Sequence, residues 1–250
     1  AIAAYNNFAS PVMEEIENEL LMVREQIRLA YDLEAPLVRV FTAWKGVTLL
    51  DAGTSPSARW VTYDFSRDRW NYPTTEIDKW RRVRNGLKEC TKWAEEFGVN
   101  LALQNHVPVV RPGYEDTLQM IREVRSDYLK MCLDVPLFTQ EQQSNEYIHE
   151  AVQACHDLII HSHFGGNFIE VSDGRIVQLP FQGGVYSEHS WKETNYPTFI
   201  SELKKIDYNG HISYELCSPL VIDHEPAGIE EVDRRAKLAA EYMRELTSQN

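Results

Sequence analysis

A short apolar run followed by an amphipathic helical segment recurs along this chain, and that alternation constrains the fold more than any other feature. Between the runs, apolar residues recur at helical spacing, as in Ile16, Leu20, Val23 and Ile27. Strands that alternate with helices in this way form parallel sheets with helices packed outside. We therefore expect one α/β domain over residues 1–250, with six strands at 2–5, 37–41, 100–104, 128–133, 158–163 and 211–216.

Two helices carry clear end signals. Ser10 followed by Pro11 predicts a helix over 11–31, because proline is favoured at the first helical position. Thr75 is a suitable N-cap for the next helix, and Gly98 stands where a left-handed C-terminal cap is expected.

The charge balance excludes several classes of partner. There are 25 basic and 38 acidic residues, a net charge of −13, which repels nucleic acid and anionic lipid. The apolar runs are too short to span a membrane, and no signal segment opens the sequence. We expect a soluble, cytoplasmic protein whose partner is a small molecule.

The four cysteines are widely separated and include no CxxC pair. Each falls in a predicted helix or strand, so buried reduced thiols are expected rather than disulfides or a cysteine zinc site.

Polar residues stand at the carboxyl ends of the last four predicted strands. They are Gln104, Asp134, His161 or His163, and Glu215. In a parallel barrel the carboxyl ends of the strands meet around one axis, so we expect these side chains to converge. Carboxylate, imidazole and amide groups together suit a divalent ion such as Mn²⁺, Mg²⁺ or Zn²⁺.

Two connections, 44–74 and 165–196, are longer than usual and follow strands, which is typical of lids and binding loops. Their aromatic residues include Trp44 and Trp191. These rings either stack on a sugar or aromatic aglycone, or pack the loops internally.

The segments 38–41, 101–106, 130–134, 161–165 and 214–215 resemble the xylose-isomerase-like TIM barrels, and more narrowly the sugar phosphate isomerase/epimerase group. The resemblance implies a (β/α)8-type barrel with one divalent ion held by Gln104, Asp134, His163 and Glu215. The His-x-His-x-Gly pattern of some epimerases favours His163 as the ligand, which leaves His161 for substrate binding, whereas other members favour His161 as the ligand.

The sequence departs from the family pattern in three places. Gln104 stands where epimerases of the family place a Glu that is both ligand and base, and an amide accepts no proton there. Asp134 lacks the nearby histidine of the multinuclear endonucleases. Residues 1–8 resemble the third family strand, so we expect six strands without the first two βα units, and an oligomer or partner subunit that covers the open side.

The resemblance implies proton removal next to a carbonyl, with the ion stabilising an enediolate. Glu215 is then the candidate base. His106, two residues beyond Gln104, is a candidate additional acid/base or a substrate hydroxyl contact. Arg39 either binds a substrate anion or forms a structural ion pair.

Three functions follow from this reasoning. The first is a metal-dependent isomerase or epimerase of a sugar or keto-sugar. The second is a lyase that cleaves C-glycosides after oxidation to the 3-keto form, which Gln104 and His106 favour. The third is a non-catalytic sugar-binding subunit, and metal content discriminates it from the enzymes.

Overall fold

The computed structural model describes residues 1–43, 75–179, 194–216, 221–222 and 225–248. The chain folds as two compact units. The first contains Ala1–Leu133 and Asp157–His161, and the second contains Asp134–His156 and Ser162–Asn250.

All six predicted strands are present and form one sheet in the order β1-β2-β3-β4-β5-β8, with parallel pairs from β1 to β5. The prediction of six strands in a parallel α/β arrangement is therefore confirmed. The strands are β1 (Ile2–Ala3), β2 (Leu37–Val40), β3 (Asn100–Gln104), β4 (Leu129–Cys132), β5 (Ile159–Phe164), β6 (Asn167–Glu170), β7 (Ile176–Leu179), β8 (His211–Tyr214), β9 (Val221–Ile222) and β10 (Glu225–Pro226).

Helices separate these strands as the apolar spacing predicts. They are α1 (Met13–Asp32), α2 (Glu76–Phe97), α3 (Glu115–Val124), α4 (Asn145–Cys155), α5 (Tyr196–Lys205) and α6 (Ile229–Ser248). Helix α2 has the predicted ends. Thr75 and Asp78 form a reciprocal capping box, and Gly98 takes a φ of 67°, which glycine adopts at little cost.

Helix α1 begins two residues later than predicted. Val12 is its N-cap, because the hydroxyl of Ser10 accepts from the backbone N–H of Val12 at 3.1 Å rather than from a group inside the helix. This local turn delays the first helical residue to Met13.

The first unit buries the apolar faces of its helices and strands. All four residues of β2 are buried, and Leu37, Ala102 and Cys132 form a core cluster with Ile160 packed against it. Gly86 in α2 allows close approach, because a Cβ there would lie 2.8 Å from the ring of Phe8.

In the second unit, part of the expected loop 165–196 is ordered as an antiparallel hairpin of β6 and β7. Asn167 pairs with Leu179 and Glu170 with Ile176. Phe168 of this hairpin belongs to an aromatic cluster in which the ring centroids of contacting pairs lie 4.8–6.4 Å apart. The members are Phe164, Phe168, Tyr196, Tyr214 and Tyr242.

Cys90, Cys132 and Cys155 are buried thiols that form no disulfide within the described residues, and Cys217 lies outside them. Burial raises the pKa of the Cys90 thiol far above its ordinary value. Across the described ranges, no helix combines the length and the apolar composition needed to cross a membrane.

Candidate metal centre

Three of the predicted site residues come together in the second unit: Asp134, His163 and Glu215. Asp134 follows β4 and caps a short 3-10 helix, Val135–Leu137. His163 lies in β5, and Glu215 directly follows β8. The backbone N–H of Glu215 donates to the carbonyl of Phe164 at 2.9 Å, which fixes it beside the end of β5.

His163 contacts both carboxylates of this group, which we call the Asp–His–Glu cluster. Its ring Nδ1 lies 2.9 Å from Asp134 Oδ2 and 3.8 Å from Glu215 Oε2. Its backbone N–H donates to Asp134 Oδ1 at 2.7 Å. The Asp134 side chain is 2% exposed, that of His163 is 10% and that of Glu215 is 29%. The cluster is therefore buried on one side and accessible at Glu215.

The donor set of the cluster fits a divalent ion. One imidazole nitrogen and two carboxylates are ligands of Zn²⁺ and Mn²⁺, and bond lengths of about 2.0–2.2 Å bring ligand atoms to about 3–4 Å from one another. The separations of 2.9 and 3.8 Å from His163 Nδ1 lie in or close to that range. An ion here would replace the proton that Nδ1 shares with Asp134.

Gln104 and His161 belong to the first unit, where both are buried. Gln104 at the end of β3 is in register with Cys132 of β4, and Cys132 is in register with His161 of β5. Side chains in register share one face of the sheet, so these three form a row. The assignment of Gln104 as a ligand and of His161 to substrate binding stays a prediction.

His106 is half-buried just beyond β3. Its ring packs edge-on against Phe41 at 5.0 Å, and its Nδ1 contacts the carbonyl of Val107. Because a carbonyl only accepts, this contact is a hydrogen bond when Nδ1 carries the proton, and in that neutral tautomer Nε2 has the lone pair. A base acting through Nε2 requires this tautomer.

Arg39 lies inside the first unit and is 2% exposed. Its guanidinium carbon is 4.1 Å from the ring centroid of Phe41 and 5.2 Å from that of Tyr5, and Nη1 donates to the carbonyl of Ala4 at 3.4 Å. These are packing contacts between a planar cation and aromatic faces. The two tryptophans predicted to bind substrate, Trp44 and Trp191, lie outside the described residues.

Tyr196 and Gln143 are two buried polar residues near the cluster that the sequence reasoning did not single out. The Tyr196 hydroxyl contacts Gly165, and the Gln143 amide contacts Val135. The one sequence signal that could have drawn attention to Tyr196 is its position between Asn195 and Pro197, at the start of α5.

Comparison with known proteins places these features in a family. The sequence model of the xylose isomerase-like TIM barrels matches residues 1–246. No curated protein matches the chain.

Several solved structures superpose on the chain at low sequence identity. D-psicose 3-epimerase with D-tagatose from Clostridium cellulolyticum H10 gives a TM-score of 0.64 at 16% identity, covering 100% of this chain and 77% of that one. The 3-keto-D-glucoside 4-epimerase of E. coli gives 0.63 at 13%, covering 98% and 79%. D-allulose 3-epimerase from Methylomonas sp. with D-allulose gives 0.63 at 15%, covering 97% and 74%.

These likenesses agree with the parallel α/β sheet and show the shared fold. Because the family model matches nearly the whole length, this chain belongs to the xylose isomerase-like TIM barrel family.

Proposed function

We propose that this protein is a divalent-metal-dependent isomerase or epimerase that acts on a sugar or keto-sugar by proton transfer next to the carbonyl. The observation that carries the proposal is the Asp–His–Glu cluster, in which one imidazole nitrogen faces two carboxylates at 2.9 and 3.8 Å. Mn²⁺, Mg²⁺ and Zn²⁺ are the candidate ions.

Asp134 and His163 are the two residues that hold the ion most firmly. Both are nearly buried, and Asp134 is fixed by the backbone N–H of His163 at 2.7 Å. A bound divalent ion supplies Lewis-acid stabilisation of the enediolate that forms when the proton leaves. Gln104 is proposed as a further ligand through its amide oxygen, by resemblance to the family.

Glu215 is the proposed base. It is the most accessible member of the cluster, with 29% of its side chain exposed, so a substrate reaches it without displacing Asp134 or His163. Its Oε2 faces His163 Nδ1 at 3.8 Å, and an ionised carboxylate is a proton acceptor.

His106 is proposed as the second acid/base group. A proton on Nδ1, which faces the carbonyl of Val107, would leave Nε2 as the atom that exchanges a proton with substrate. A basic Nε2 on His106 would compensate for Gln104, which stands where epimerases of the family place a basic Glu.

The substrate class rests on the similar structures. They are named as epimerases of psicose, which is also called allulose, and of a 3-keto-glucoside, and both are keto-sugars. We extend this class to the present chain, with D-psicose, D-tagatose and D-fructose as first test compounds.

The test is solvent deuterium exchange. The chain, loaded with Mn²⁺ in D₂O, is incubated with each ketose, and NMR follows deuterium entering at the carbon next to the carbonyl. Proton transfer by this mechanism incorporates solvent deuterium even when the product equals the substrate. No deuterium in any 2-keto or 3-keto sugar, with metal bound, would contradict the proposal.

A second candidate is the lyase that cleaves 3-keto C-glycosides by elimination. The combination of Gln104 and His106 favours it, because elimination needs a histidine base and Gln104 provides no base. Release of an aromatic aglycone from a 3-keto C-glycoside, without epimerised sugar, would select this function. Binding of the sugar without either reaction would select a sugar-binding subunit.

The expected assembly is an oligomer or a complex with a partner subunit. Sedimentation velocity of the purified chain tests this, and a monomer at micromolar concentration that turns over keto-sugar would contradict it.

A further inference from the structure

The hydroxyl of Tyr196 satisfies both backbone groups of Gly165, two residues after His163. It accepts from the Gly165 N–H at 2.8 Å and donates to the Gly165 carbonyl at 2.9 Å. Tyr196 is fully buried. Without the hydroxyl, these two half-buried backbone groups would lose this hydrogen-bond partner.

Gly165 lies between two residues of the Asp–His–Glu cluster, His163 and Glu215. The carbonyl of Phe164 accepts from the Glu215 N–H at 2.9 Å, and a Cβ on Gly165 would lie only 3.3 Å from the Glu215 carbonyl. The position of Gly165 therefore affects His163 on one side and Glu215 on the other.

The start of α5, which carries Tyr196, is in turn tied to Asp134. The side-chain oxygen of Gln143 accepts from the Asn195 N–H at 2.9 Å, and its amide nitrogen donates to the carbonyl of Val135 at 2.9 Å. Val135 is the residue after Asp134. Gln143 is 7% exposed, so these bonds are protected from water.

The phenol keeps its proton across the physiological pH range. Burial is the main cause that raises the pKa of Tyr196. The bond to the Gly165 carbonyl is therefore a permanent donor contact.

We infer that Tyr196 is a positioning residue, which together with Gln143 sets the distance between Asp134 and His163 and holds Glu215 beside them. We call these two side chains the clamp. Its importance for catalysis rests on the proposed function, whereas its effect on the geometry of the cluster does not.

The test compares the full chain with Tyr196→Phe, which removes only the hydroxyl. The readouts are the hydrogen-exchange rate of the His163 amide without metal, and the dissociation constant for Mn²⁺. Loss of a buried hydrogen-bond partner changes a local equilibrium by roughly tenfold or more. We expect His163 amide exchange to be faster by about tenfold and Mn²⁺ to bind about tenfold more weakly.

Tyr147→Phe is the matched control. Tyr147 lies in α4 of the same unit, where its hydroxyl accepts from the Gln142 amide at 3.0 Å and its ring packs edge-on against Phe138 at 5.3 Å. If removal of a tyrosine hydroxyl only destabilised the fold, His163 amide exchange would change alike in both variants. A positioning role changes His163 amide exchange only in Tyr196→Phe.

Unchanged His163 exchange in a folded Tyr196→Phe protein would overturn the inference. If that variant does not fold, Gln143→Met replaces it, since it removes the side-chain bonds to the Val135 carbonyl and the Asn195 N–H while keeping a similar shape. Unchanged His163 exchange there would have the same meaning. A wild-type chain that binds no Mn²⁺ would reject the proposed function, while the exchange rates would still decide the role of the clamp.

Discussion

His163 is bonded to Asp134 twice, once through its backbone and once through its ring. The backbone N–H donates to Oδ1 at 2.7 Å, and Nδ1 lies 2.9 Å from Oδ2. One carboxylate thus orients the imidazole that neighbours it, and Nδ1 of that ring lies 3.8 Å from Glu215 Oε2. If these two side chains hold an ion as proposed, this orientation lowers the cost of ordering them when the ion binds.

The first prediction concerns the charges of the cluster. Asp134→Asn and Glu215→Gln each remove one anionic oxygen ligand, so each should weaken Mn²⁺ binding by at least about tenfold. Turnover should fall below detection, because the proposed mechanism uses the ion as its electrophile. Isothermal titration with Mn²⁺ and a keto-sugar assay measure the two effects.

Glu202→Gln is the control for this prediction. Glu202 is a buried carboxylate of the second unit whose Oε2 lies 2.7 Å from His149 Nδ1, so the variant also breaks a carboxylate–histidine contact. It should bind Mn²⁺ as the wild type does. Equal activity of Asp134→Asn and wild type would refute the ligand assignment.

The second prediction separates proton transfer from metal binding at His106. His106→Ala should lower kcat by about 10²- to 10⁴-fold with metal affinity unchanged, the usual range for loss of a positioned acid/base group. If His106 only holds a substrate hydroxyl, KM should change more than kcat. Steady-state kinetics and the pH profile of kcat distinguish the two.

His156→Ala is the matched variant, because His156 Nδ1 also contacts a backbone carbonyl, that of Gln153, at 3.0 Å. It should leave kcat unaltered. A His106→Ala enzyme that keeps both its rate and its full pH profile would make His106 a bystander and remove the main support for the lyase.

The strands and the cluster were predictable from sequence because both depend on local pattern. An apolar run ended by a polar residue, as in Met131 to Asp134, defines a buried parallel strand and its carboxyl end. Family resemblance then singled out His163, and the structure shows its contacts with Asp134 and Glu215.

The hairpin and the clamp were not predictable in the same way. Strands Asn167–Glu170 and Ile176–Leu179 are short, lie in a glycine-containing stretch and show little apolar alternation. Tyr196 has the pattern of an ordinary buried aromatic, and its bonds to Gly165 join residues 31 positions apart, which no local pattern encodes.

The third prediction concerns Cys155, a buried thiol of α4 that is 1% exposed. Cys155→Ala removes a small buried group, so it should lower the free energy of unfolding by about 1 kcal/mol. Urea unfolding measures this. Mn²⁺ affinity and kcat should equal those of the wild type, and a loss of metal binding would contradict the structural role.

The fourth prediction is a pH dependence of stability at Asp116. Hydrogen bonds from the Arg111 side chain, at 2.6 and 2.8 Å, hold the pKa of Asp116 below its ordinary value. A carboxyl whose pKa is lowered in the folded state adds stability above its unfolded pKa of about 4. That stability is lost as the pH falls through the folded-state pKa.

Asp116→Asn should therefore lower the melting temperature at pH 7, and the difference from wild type should narrow below about pH 4. Thermal unfolding at pH 7 and pH 3 measures it. A difference that stays constant between these two pH values would show that the ion pair does not stabilise the fold.

The most direct measurement of the central claim is anomalous diffraction from crystals of the chain grown with Mn²⁺. The account predicts one anomalous peak within about 2.0–2.3 Å of Asp134 Oδ2, His163 Nδ1 and a Glu215 oxygen. A peak elsewhere, such as at His149 and Glu202, with the Asp–His–Glu cluster empty at saturating Mn²⁺, would contradict it.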